Sequence, residues 1–139
     1  MLINTATQPE DLASNQTFTF VISASSGKIS AAPKTSGAGK YADGHARINK
    51  RGTGHRTLIW ECAQLFEIEF AELSSSAEIA TGDTGDLFSQ TSGPAASGGV
   101  FKFEGKLRSG GGGGDTVVYK YTIRIEGFED LDPLIIVDR

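Results

Sequence analysis

Thr116-Val-Val-Tyr-Lys-Tyr-Thr-Ile-Arg-Ile-Glu126 decides the fold class. Val117, Tyr119, Tyr121, Ile123 and Ile125 fall on one side of this stretch. Val118, Lys120, Thr122, Arg124 and Glu126 fall on the other. Successive side chains of a strand point to opposite faces, so an apolar row backed by a mostly polar row predicts a half-buried strand. A polar turn, Gly127-Phe-Glu-Asp-Leu131, follows it. Asp132-Pro133 then opens Leu134-Ile-Ile-Val137, which is apolar on both faces. Such a run predicts a central strand covered on both sides.

The same period of two recurs upstream. Thr17 to Ser23 sets Phe18, Phe20 and Ile22 on one face, and Lys28 to Ala32 predicts a short strand ending at Pro33. Ala46 to Lys50 is a weaker strand. Arg56 to Cys62 aligns Leu58, Trp60 and Cys62. Phe66-Glu-Ile-Glu-Phe70 alternates cleanly, although Phe66 and Phe70 also stand at helical spacing; Ile68 between them, with Glu67 and Glu69 opposite, selects strand. Val100 to Leu107 sends Phe101, Phe103 and Leu107 inward. Residues 74–99 are Ser, Gly, Ala, Thr and Asp for the most part and read as a long loop, with Leu87-Phe88 plugging the core from it. Five consecutive glycines, Gly110 to Gly114, predict a hairpin loop. The result is seven to eight strands and no helix, the pattern of an all-β sandwich.

Length and charge set the class. The 139 residues suit one domain, typically about 150 residues long. Residues 1–15 read as a flexible N-terminal arm and 16–139 as one β-sandwich domain. Asp and Glu number 17 against 13 Lys and Arg, a net charge of -4. That balance argues against nucleic acid as a partner, since nonspecific binding there rests on excess positive charge. No stretch approaches the roughly 18 apolar residues of a spanning helix, so no membrane is expected. The first residues carry neither the basic nor the apolar region of a secretory signal. With a single cysteine, Cys62, the expected compartment is a reducing cytoplasm.

Each chemical motif is outweighed by a structural reading. The glycine run is followed by Asp115 and a strand, whereas a phosphate cradle needs a helix there. Gly37-Ala-Gly-Lys40 lacks the first glycine and the final Ser or Thr of a nucleotide loop, having Lys34 and Tyr41 instead. His45, His55 and Cys62 match no zinc spacing, and Cys62 continues the face of Leu58 and Trp60. Asp83 with Asp86, and Glu126, Glu129, Asp130 and Asp132, read as solvated turn acids rather than calcium ligands or an acid–base pair. Charge is segregated: Lys40, Arg47, Lys50, Arg51 and Arg56 form a basic stretch, followed by an all-acidic region from Glu61 to Asp86. The five basic residues are the expected interaction surface. The segregation also suggests head-to-tail contact between copies.

Leu58-Ile-Trp60, Phe66 to Phe70, Tyr119-Lys-Tyr121-Thr-Ile-Arg-Ile125 and Leu131-Asp-Pro133-Leu-Ile-Ile-Val-Asp138 together resemble small bacterial cupredoxin-like sandwich proteins. The similarity spans roughly 45–138. It implies a cupredoxin-like Greek-key sandwich, but not its copper. A copper centre takes two His, a Cys and usually an axial Met, with Cys, His and Met grouped near the closing strands, and residues 108–139 contain none of the three. No cofactor and no metal are therefore expected. The expected role is a non-catalytic binding or assembly module, not an enzyme, acting on a protein partner or by self-association. Two alternatives stand beside it: a structural subunit of a larger particle (coat, tail or decoration protein), and a hydrolase with a loop-built site.

Overall fold

The computed structural model describes residues 10–11, 17–34, 44, 46–49, 57–73, 88–107 and 116–138. They form an all-β structure of two sheets and contain no helix. In chain order the strands are β1 (Glu10–Asp11), β2 (Thr17–Ser25), β3 (Lys28–Pro33), β4 (Ala46–Asn49), β5 (Thr57–Cys62), β6 (Glu67–Leu73), β7 (Phe88–Ser97), β8 (Val100–Leu107), β9 (Thr116–Arg124) and β10 (Leu134–Asp138). One sheet has the order β1-β4-β10-β9-β6, the other β3-β2-β5-β8-β7. We call them the first and second sheets. Most neighbours are antiparallel, but β2 runs parallel to β5, and β4 runs parallel to both β10 and β1.

Alternation explains the core. The second sheet turns Phe18, Phe20 and Ile22 of β2, Ile29 and Ala31 of β3, and Leu58, Trp60 and Cys62 of β5 inward. Phe103 and Leu107 of β8 join them. From the first sheet come Phe70, Tyr119, Tyr121, Ile123 and Ile135, all buried. The rings meet across the gap. Trp60 lies edge-on to Phe70 at 5.4 Å and to Tyr121 at 5.1 Å, and stacks on Phe20 at 5.1 Å. Offset and edge-to-face contacts of this kind add stability beyond the area they bury. The expected strand over Phe66–Phe70 is present as β6, and β10 is central, with Leu134 and Ile135 both buried.

Three expectations are corrected. There are ten strands among the described residues rather than seven to eight, counting the two-residue β1. The predicted loop over 74–99 contains β7, which pairs with β8 from Phe88↔Leu107 to Ser97↔Val100. Its Ser, Thr and Ala residues are largely exposed on both faces, so no apolar alternation marks it. Backbone pairing with β8 makes it a strand. Phe88 does reach the core, but from the first position of that strand. Its ring fills the space over Gly105, where a Cβ would lie 2.5 Å from it. Finally, β8 and β9 belong to different sheets and do not pair as the two arms of a hairpin; the glycine run between them lies outside the described residues. Of the predicted arm, Glu10–Asp11 pairs with β4; its other residues lie outside the described set.

Candidate functional site

The polar face of β9 organises the outside of the first sheet. Lys120, Thr122 and Arg124 share it, and pairing with β6 sets Glu67 opposite Arg124 and Glu69 opposite Thr122. The connection from β9 to β10 folds back along β9. Ile123 and Leu131 exchange backbone hydrogen bonds of 2.8 and 3.1 Å, and the Tyr121 amide donates to the Pro133 carbonyl at 3.0 Å. Asp130 and Asp132 are thereby delivered to the face they neutralise. Arg124 donates from Nη2 to Glu69 Oε1 at 2.8 Å and from Nε to Asp130 Oδ2 at 3.2 Å. The Thr122 hydroxyl donates to Asp132 Oδ1 at 2.6 Å, with Lys120 Nζ 3.9 Å from the same oxygen. The Glu69 hydrogen bond, more than any other influence, pushes the Arg124 guanidinium's pKa above its already high value. These acids hold the closing turn against the sheet. Asp130 thus faces Arg124, and Asp132 faces Thr122 and Lys120.

Beneath this face the Tyr121 hydroxyl donates to the Gly44 carbonyl. Burial drives its pKa well above the ordinary tyrosine value of 10.0, opposed by the nearby Trp60 indole N–H. That N–H falls short of hydrogen-bond geometry, and Trp60 Nε1 is buried without a partner among the described residues.

One hollow adjoins the closing turn. It has a volume of about 300 Å³ and is lined by Lys28, Ile29, Ser30, Glu129, Asp130 and Leu131. It lies where the second sheet meets the β9–β10 connection, at the Lys28↔Glu129 bridge, and the Glu129 amide donates to Gly27 O at 2.9 Å. The hollow is a seam between elements, and Asp130 on its wall is already engaged by Arg124.

Among the described residues the two sheets end in four different ways. β1 is two residues long. β3 stops at Pro33 and is bridged to Glu129 from outside its sheet. β7 breaks register twice, between Phe88 and Gln90 and between Ser92 and Ala95. Gly93 in the second break has φ +91°, and a Cβ there would collide with the Lys102 carbonyl; Pro94 beside it has no N–H to offer. Shortness, proline, bulges and charge are among the devices by which natural sheets avoid unwanted edge pairing. β6 has none of the first three and carries glutamates instead. It runs seven residues from Glu67↔Arg124 to Leu73↔Val118 without a break, and contains neither Gly nor Pro.

Of the basic surface expected from sequence, Lys40, Lys50, Arg51 and Arg56 lie outside the described residues. Arg47 sits in β4, paired in register with Ile136. His45, His55, Asp83 and Asp86 also lie outside the described set, while Cys62 is buried in the core as its alternation predicted. Among the described residues no three His, Cys, Asp or Glu side chains converge as a metal would require. The sequence reading did not join Glu69 to Arg124 or Thr122 to Asp132. A signal was present: acids alternate on one strand and cations on another, the pattern that favours pairing of the two. No family model matches the chain, and no curated protein matches it.

Proposed function

We propose that the chain is a non-catalytic binding or assembly module, working without a bound metal, which engages its partner at the edge of β6. One observation carries this reading: among the described residues the first sheet ends in a seven-residue strand without bulge, Gly or Pro, while the other edges are short, bridged or bulged. Such an edge presents a row of backbone donors and acceptors, the template used in strand addition, and its glutamates disfavour like-charged strands. We also propose a cupredoxin-like Greek-key winding for the two sheets. Support comes from the side-by-side placement of strands distant in sequence, β2 with β5 and β4 with β10.

A structural subunit of a larger particle is the second reading. β4, flanked in sequence by Lys40, Lys50, Arg51 and Arg56, and β6, which carries three glutamates, lie toward opposite ends of one sheet. Contacts between unlike ends are heterologous and build rings or filaments. Native mass spectrometry of the full chain isolated from its own cells tests both. A stoichiometric complex with another protein supports the first, and a large homo-oligomer supports the second. A bare monomer that turns over an ester, phosphoester, peptide or glycoside substrate would overturn both in favour of a hydrolase.

A further inference from the structure

We infer that the β6 edge takes an extended segment of another protein in which Lys or Arg alternates with apolar residues. The inference rests on the binding-module reading and adds the chemistry of the partner. The strand Glu67-Ile-Glu-Phe-Ala-Glu-Leu73 contains three glutamates and no cation. Glu67 and Glu69 occupy the outward face of the sheet. Glu69 is held by Arg124, whereas Glu67 is exposed and has no ion pair among the described residues, although it stands opposite Arg124 in register. An added strand would place alternate side chains beside Glu67 and Glu69, where opposite charge stabilises a cross-strand pair and like charge opposes it.

The intervening side chains of the added strand would lie beside the inward row. There Ile68 packs on the core yet is only partly buried. Leu65, two residues before the strand, is 64% exposed, the most exposed of the large apolar residues described. An apolar side chain opposite Ile68 completes its burial. Charge weighs against a second copy on the same edge, because β6 against β6 brings the outward row with Glu67 and Glu69 toward the same acids of the other copy. A segment with basic and apolar residues in alternation satisfies both rows at once; an acidic or uniformly polar one satisfies neither.

The test uses the full chain and blocked seven-residue peptides, matching β6 in length: lysine alternating with valine, the same composition scrambled, and glutamate alternating with valine. Hydrogen exchange of the free protein comes first. Antiparallel pairing with β9 occupies every second amide of an edge strand, so alternate β6 amides should exchange fast. Protection of all of them in the free monomer would mean the chain covers its own edge, and protection arising from a homo-oligomer would mean a second copy covers it; either result overturns the inference. The lysine–valine peptide should then protect the fast amides, and its binding should weaken as salt rises. Glu67→Lys should weaken it by about five-fold, the upper range for one cross-strand charge pair. Glu104→Lys, the same charge change on the outer face of β8 in the other sheet, should leave it unaltered. Equal binding of the scrambled or glutamate peptide, or equal effects of the two substitutions, would overturn the inference. A native complex held at β6 together with no preference for the lysine–valine peptide would sink the partner chemistry alone. Absence of both complex and peptide binding would remove the binding-module reading as well.

Discussion

Tyr121 of β9 packs with its ring and hydrogen-bonds with its hydroxyl. Its ring lies among Phe20, Trp60 and Phe70, and its hydroxyl donates to the carbonyl of Gly44, two residues before β4 of its own sheet. Gly44 has φ +84°, and a Cβ there would lie 2.5 Å from the Tyr121 oxygen and 2.9 Å from Pro133 Cγ. Gly44→Ala should therefore cost more than the roughly 1–2 kcal/mol of a left-handed residue alone, read from denaturant melts. Tyr121→Phe should cost about 1–3 kcal/mol at neutral pH, because it strands a buried carbonyl. The two proteins should then converge at alkaline pH. The folded pKa of Tyr121 lies above the unfolded value of 10.0, so the folded state keeps a proton that the unfolded state releases. The contribution of this group is complete below pH 10.0 and falls above it, by about 1.4 kcal/mol per pH unit. Melts at pH 9, 10 and 11 check the sign: a gap that widens with pH would contradict it.

At the scale of elements, the β9–β10 connection is held by side chains that alternate on β9. Thr122 is nearly buried and donates to Asp132. Thr122→Val keeps the shape and removes the donor, so it should cost about 1 kcal/mol. A double-mutant cycle with Asp132→Ala should show that the two losses are not additive; full additivity would mean that the hydrogen bond does not hold the turn. β7 illustrates the opposite case. Its sequence, Phe-Ser-Gln-Thr-Ser-Gly-Pro-Ala-Ala-Ser, has one apolar anchor at Phe88 and no period. Its conformation is imposed by the β8 ladder, and pattern analysis sees only a loop. β6 shows how alternation outranks local propensity: Glu, Ala and Leu favour helix, but burial of Phe66 and Phe70 with Ile68 against one core requires a strand.

The whole molecule has one aromatic centre fed by both sheets. Trp60, the only tryptophan, is fully buried and touches rings from β2, β6, β7, β8 and β9. Separating the sheets exposes the indole and breaks the shared core in the same step. Urea transitions followed by Trp60 fluorescence and by far-ultraviolet circular dichroism should coincide, as cooperative single-domain unfolding requires. An early fluorescence change with dichroism intact would show that the sheets part before either unfolds.

The sequence by itself determined which residues face inward. Leu58, Trp60 and Cys62, or Tyr119, Tyr121 and Ile123, are buried because a strand has a period of two and water drives the apolar row to one side. It also determined that β10 is central, since a run apolar on both faces needs cover on both. Tertiary structure decided what depends on partners distant in the chain: that β2 lies beside β5 and β4 beside β10, and that β8 and β9 part into different sheets. It decided that Asp130 and Asp132 close on Arg124 and Thr122. It alone showed that, among the described residues, β6 ends its sheet without a bulge, because an edge is defined by the absence of a neighbour, and local alternation reads the same with or without one.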